Sequence, residues 1–136
     1  MKTVVPATIL AAILATVLAS PAQAVTVKQV TSSCLDGGFA GRLTLRYETW
    51  GGFHHPLGAI TASGPYIGDS GTQSLRISYR DGVSTHTVYS KTSSATAGEH
   101  SQTLPSRLNL PVTATAIAST KFDSGTASCV ATVLLR

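Results

Sequence analysis

Charge is scarce in this sequence: of 136 residues only 12% are Asp, Glu, Lys or Arg, and only six are acidic. Glycoside hydrolysis needs two carboxyl groups facing each other across a cleft. Asp36, Asp81 and Asp123 each neighbour a Gly or a Ser-Gly, and Asp69 sits inside a Gly-Asp-Ser-Gly string, so turn chemistry accounts for them. Glu48 and Glu99 then stand without an evident partner, and no catalytic carboxylate pair is read. Cysteine is equally sparse. Cys34 and Cys129 are the only two and stand far from the close C-x-x-C spacing of a redox pair or thiolate metal site. Asn occurs once, as Asn109, and no N-glycosylation sequon is present.

Other absences narrow the class further. No stretch sustains a 3.6-residue apolar repeat, which excludes a helical fold. Beyond residue 24, nine Lys and Arg face six Asp and Glu, a net +3, but the basic residues are interspersed with acids and hydroxyls and form no stripe. Nucleic-acid binding therefore finds no support beyond a high isoelectric point.

What is present begins with an export signal. Lys2 supplies a positive start, Val4 to Ala19 is nearly all apolar, and Ala22-Gln23-Ala24 places small residues where a signal peptidase reads. The apolar run falls short of the ~20 residues a membrane span needs. A secretory signal peptide over residues 1–24 is expected, followed by a single secreted domain over 25–136 with no membrane span after cleavage. Arg outnumbers Lys six to three in that region, a bias expected of a GC-rich bacterial genome.

An exported chain reaches an oxidising compartment, where two cysteines have one pairing, Cys34 with Cys129. Such a bridge closes nearly the whole domain and, on the chain-entropy model, stabilises it by about 4 to 5 kcal/mol.

Period-2 alternation rich in Val, Ile, Thr, Leu and Tyr implies an all-β fold. Strands are expected over Val25 to Ser33, Arg42 to Glu48, Leu57 to Ser63, Leu108 to Ser119 and Thr126 to Leu135. In the clearest of them, Leu43, Leu45 and Tyr47 share one face and Arg42, Thr44, Arg46 and Glu48 the other. Pro111 argues for an edge or a bulge. The last strand, apolar on both faces, is expected to be covered. Asp81-Gly82 between two alternating runs predicts a hairpin in which Ile77 faces His86 and Leu75 faces Val88, with His86 on the apolar face. Gly51 to Pro56 and the Ser/Thr-rich Lys91 to Ser106 read as loops. About seven short strands favour an immunoglobulin-like two-sheet sandwich with one disulfide, a small β-barrel being the alternative.

Several motifs look like chemistry. Gly68-Asp69-Ser70-Gly71 matches the string around the nucleophile of chymotrypsin-like proteases, but no separate Asp lies between His54-His55 and Ser70, and the chain is about half the length such a double barrel needs. Leu110 to Ala114 resembles a sortase signal without the hydrophobic span that should follow. His54, His55, His86 and His100 could supply imidazole ligands, yet adjacent His54 and His55 point to opposite sides of an extended chain. Neither a metal nor a cofactor is called for.

Trp50-Gly51-Gly52-Phe53-His54-His55 gathers the only Trp, a Phe and two His at the exit of the clearest strand. Aromatic side chains there offer large contact area at small entropy cost to a sugar ring or a protein. Trp50 also suits a sandwich core or its lid. The function this implies is a small secreted non-enzymatic binding module for an extracellular protein or carbohydrate, contacted through Trp50, Phe53, His54 and His55. Alternatives are an inhibitor that inserts the 91–106 loop into a hydrolase cleft, or an extracellular metal binder.

Overall fold

The computed structural model describes residues 24–66 and 71–136. The expected signal segment, apart from Ala24, and most of the Gly68–Gly71 string lie outside the described residues. Among the described residues nine strands follow in order: β1 (Lys28–Asp36), β2 (Phe39–Trp50), β3 (Phe53–Gly64), β4 (Gly71–Asp81), β5 (Ser84–Ala95), β6 (Gly98–Thr103), β7 (Leu110–Pro111), β8 (Thr115–Asp123) and β9 (Ser128–Leu135). They form two antiparallel sheets, one ordered β1-β2-β3-β6 with β7 beside the start of β3, the other β5-β4-β8-β9. Among the described residues no ladder joins the two, so the sheets stack as a sandwich and do not close into a barrel. Among the described residues no helix is long and apolar enough to cross a membrane.

The alternation in β2 does what it implies. Leu43, Leu45 and Tyr47 are buried against Leu75 and Ile77 of β4, Ala116, Ala118 and Phe122 of β8, and Ala131, Val133 and Leu135 of β9. Large residues of one sheet meet alanines of the other, which keeps the layers close. Gly41 permits a close approach, because a Cβ there would stand 2.2 Å from the Phe122 ring. The segment after β6 returns to the core through buried Leu104, Leu108 and Leu110, with the Leu104 amide donating to the Leu57 carbonyl at 3.1 Å.

Cys34 and Cys129 are bridged, with Cα atoms 5.7 Å apart across 95 residues of chain. The bridge joins β1 to β9, the edges of opposite sheets along one margin, whereas immunoglobulin domains bury theirs between inner strands. Polar contacts close the rest of that margin. The Ser128 amide donates to Asp36 Oδ2 at 3.0 Å, and the Tyr47 hydroxyl donates to the Arg136 carbonyl at 2.8 Å while accepting from its amide at 2.9 Å. Lys28 Nζ donates to the same carbonyl at 2.8 Å.

Several expectations are corrected. Asp81 pairs with Ser84, so Gly82-Val83 is the turn, with Gly82 at φ 60° in the first central position of a II′-type hairpin. Each partner on β5 therefore moves on by two residues, and an irregularity at Ile77/Ser78 adds one more, pairing Ile77 with Tyr89 and Leu75 with Lys91. His86 therefore stacks on Tyr79 in an exposed position, with ring centroids 4.8 Å apart. Lys91 to Ser106 is not a loop. Most of it is the end of β5 and all of β6, the outermost strand of each sheet. Leu108 to Ser119 is not one strand but two, split at Val112–Ala114 where the chain crosses between sheets. β9 is an edge, and Val130 and Leu134 on its outer face are exposed.

Candidate functional site

Trp50-Gly51-Gly52-Phe53 is a two-residue hairpin turn rather than the start of a loop. Gly51 and Gly52 have φ of 61° and 81°, the double positive φ that a type I′ turn demands and that only Gly adopts without strain. Gly-Gly between two extended runs was a readable turn signal, and the two aromatic residues flanking it hid the strand beyond. The turn puts Trp50 opposite Phe53, Thr49 opposite His54 and Glu48 opposite His55. Alternation then sorts them: Glu48, Trp50, Phe53 and His55 take the outer face of the sheet, while Thr49 and His54 turn toward the core.

On the outer face the indole is held at three points. Trp50 Nε1–H donates to Glu48 Oε1 at 3.0 Å, its ring stacks on His55 with centroids 4.0 Å apart and planes 16° apart, and Phe53 pairs with it across the ladder. His55 Nε2–H donates to the Trp50 carbonyl at 3.1 Å, so the imidazole is a bracket beneath the indole. Its exposure is 7%, against 52% for Trp50 and 40% for Phe53. The indole covers His55 on one side and meets solvent on the other. A second support comes from the strand β7 leg, where Pro111 pairs with Phe53 and the Val112 amide donates to the Gly52 carbonyl at 3.1 Å. Val112 extends the exposed apolar surface, and Val25 lines a shallow depression with Trp50 and Lys28.

His54 has a different task. Its ring packs edge-to-face on Tyr47 at 5.5 Å, and Nδ1 shares a hydrogen bond with Thr49 Oγ1 at 2.8 Å. Burial, then the positive charges of Lys28 and of His55 when protonated, hold its pKa below the ordinary 6.5. Of the four residues named from sequence, Trp50 and Phe53 thus reach solvent, whereas His55 is buried beneath the indole and His54 is buried on the core side against Tyr47. Trp50 belongs to neither the core nor a lid over it; Phe39, Tyr47 and Phe122 are the large buried rings there.

His86 and His100 stand elsewhere, His100 Nε2 lying 3.0 Å from Thr96 Oγ1. Among the described residues no group of three or more His, Cys, Asp or Glu is placed to hold a metal ion. Comparisons of this chain with protein-family models, with curated proteins and with solved structures find no match.

Proposed function

We propose that this chain is a small secreted, non-enzymatic binding module that contacts an extracellular carbohydrate or protein with Trp50 and Phe53 at the tip of the β2–β3 hairpin. The observation that carries this reading is Trp50 itself. A half-exposed indole usually retains rotamer freedom, but this one is fixed by Glu48 and His55, so binding would freeze little further entropy. Flat aromatic faces of this kind receive the apolar face of a sugar ring or the hot-spot side chain of a partner. The disulfide is compatible with an extracellular destination. The inhibitor reading, by contrast, loses its inserting loop to strands β5 and β6.

The test is a panel of immobilised polysaccharides and extracellular proteins probed with the wild-type chain and with Trp50→Ala. A ligand that binds wild type and loses at least about tenfold in affinity for the variant supports the reading, since truncating a hot-spot aromatic costs upward of ~2 kcal/mol. Equal binding by both proteins, or hydrolysis of any substrate in a panel of peptides, esters and glycosides, overturns it.

A further inference from the structure

The outer face of the second sheet lies apart from the hairpin site. Because Leu75 and Ile77 are buried on the core side, alternation directs Arg76, Ser78 and Arg80 of β4 outward. Register places Ser119, Ile117 and Thr115 of β8 beside them on one flank, and Ser90, Thr87 and Thr85 of β5 on the other. Two guanidinium groups therefore stand in a field of hydroxyls.

Arg76 is pre-oriented. Its Nε and Nη2 both donate to Thr87 Oγ1, at 3.0 and 2.7 Å. Thr87 is the partner of Ser78, one row closer to Arg80, so this bond leans the Arg76 guanidinium along the strand toward Arg80. Arg76, Ser78, Arg80, Thr85, Ile117 and Ser119 line one shallow depression. Among the described residues no carboxylate engages either arginine: Asp123 lies 3.9 Å from Lys121 on this face, and Asp81, at the hairpin end, alternates to the opposite side of the strand from Arg80.

Two positive groups with no carboxylate partner among the described residues, hydroxyl donors and acceptors around them, and a sheet surface open along its length complement an extended chain that carries both anionic groups and hydroxyls. The face bears no aromatic side chain, so it lacks the stacking platform with which single-stranded nucleic acids are held. We propose that this face binds an anionic polysaccharide, with Arg76 and Arg80 engaging one sulfate or carboxylate group and the Ser/Thr rows the neighbouring sugar hydroxyls. It is independent of the hairpin reading, since no residue is shared.

Heparin, bearing both sulfate and carboxylate, and hyaluronan, bearing carboxylate alone, are the probes, with single-stranded DNA as the competing polyanion and calorimetry on the full chain as the readout. At least one glycan is expected to bind, and less tightly at high salt. Arg76→Ala/Arg80→Ala should weaken it by about tenfold or more, whereas Arg42→Ala/Arg46→Ala, an equal charge change on the other sheet's outer face, should weaken it by less than about twofold. Arg80→Ala alone, which removes no hydrogen bond seen among the described residues, should weaken it measurably while leaving the circular dichroism spectrum intact. Binding of neither glycan, equal losses in both double variants, or DNA binding as tight as the better glycan overturns the proposal.

Discussion

Gly41→Ala probes the closeness of the two sheets at the point where they nearly touch. A Cβ at this position would lie 2.2 Å from Phe122 Cδ2, 2.6 Å from Cε2 and 2.9 Å from Cγ, well inside the ~3.5 Å at which carbon atoms settle. The ring has no solvent to swing into, since Phe122 is fully buried. Relief must come from an off-rotamer Phe122 or from parting the sheets beside the Cys34–Cys129 margin. Overpacking of this kind costs about 1 to 3 kcal/mol, and the loss of chain freedom in the unfolded state on replacing Gly returns about 0.4 to 1. The net expectation is a destabilisation of about 1 to 2 kcal/mol, or a melting temperature lower by roughly 4 to 9 °C in a domain of this size. Thermal unfolding followed by circular dichroism reads it directly. Phe122→Leu in the Gly41→Ala background should cost less than the two single changes together, with a coupling of about 0.5 kcal/mol or more. A Gly41→Ala protein that melts at or above the wild-type temperature, or strict additivity in the double variant, would refute the packing argument.

Replacing both Cys34 and Cys129 by Ser reopens a closure of 95 residues and is expected to cost about 2 to 5 kcal/mol, visible as a lowered urea midpoint. Wild-type protein should lose the same stability under strong reductant. The lowered pKa of His54 means that the unfolded chain takes up its proton more readily than the folded one. Stability from the neutral imidazole is therefore present above pH 6.5 and drains away as pH falls through the lowered folded value. Melting temperature against pH should decline in that window, and His54→Gln should flatten the decline. Gly52→Ala puts a side chain at φ 81° and should destabilise by about 1 kcal/mol, with the Trp50 emission spectrum reporting any loosening of the hairpin.

Parts of this architecture are legible residue by residue. Leu43, Leu45 and Tyr47 alternate with charged and polar neighbours because one face of β2 is core and the other wet, and burial follows the pattern. The cysteine pairing needs only a count. The β5 and β6 strands escape reading because each is the edge of its sheet. Their side chains are exposed along most of both faces, so Ser and Thr suffice and no apolar period is written. β9 misleads in the opposite direction, with Val130 and Leu134 apolar yet exposed. The Asp81-Gly82-Val83 turn illustrates a local ambiguity: Gly at positive φ satisfies either the second central position of a I′ turn or the first of a II′ turn. The pairing of Asp81 with Ser84, with Gly82 alone at positive φ, shows that the chain takes the second. For the candidate site, composition singles out Trp50, Phe53, His54 and His55 together, but their division into two exposed rings and two buried imidazoles depends on strand parity beyond Gly51-Gly52.

Because Trp50 is the only tryptophan, its fluorescence is a reporter placed on the proposed contact surface. Titrating the chain with each binder recovered from the polysaccharide and protein panel, while following tryptophan emission, tests the hairpin assignment most directly. The expected result is a saturable shift or quench whose midpoint matches the affinity measured independently and is weakened at least about tenfold by Phe53→Ala. A ligand that saturates the protein while leaving the emission unmoved, and that binds Phe53→Ala as tightly as wild type, would place the binding surface somewhere other than the β2–β3 hairpin.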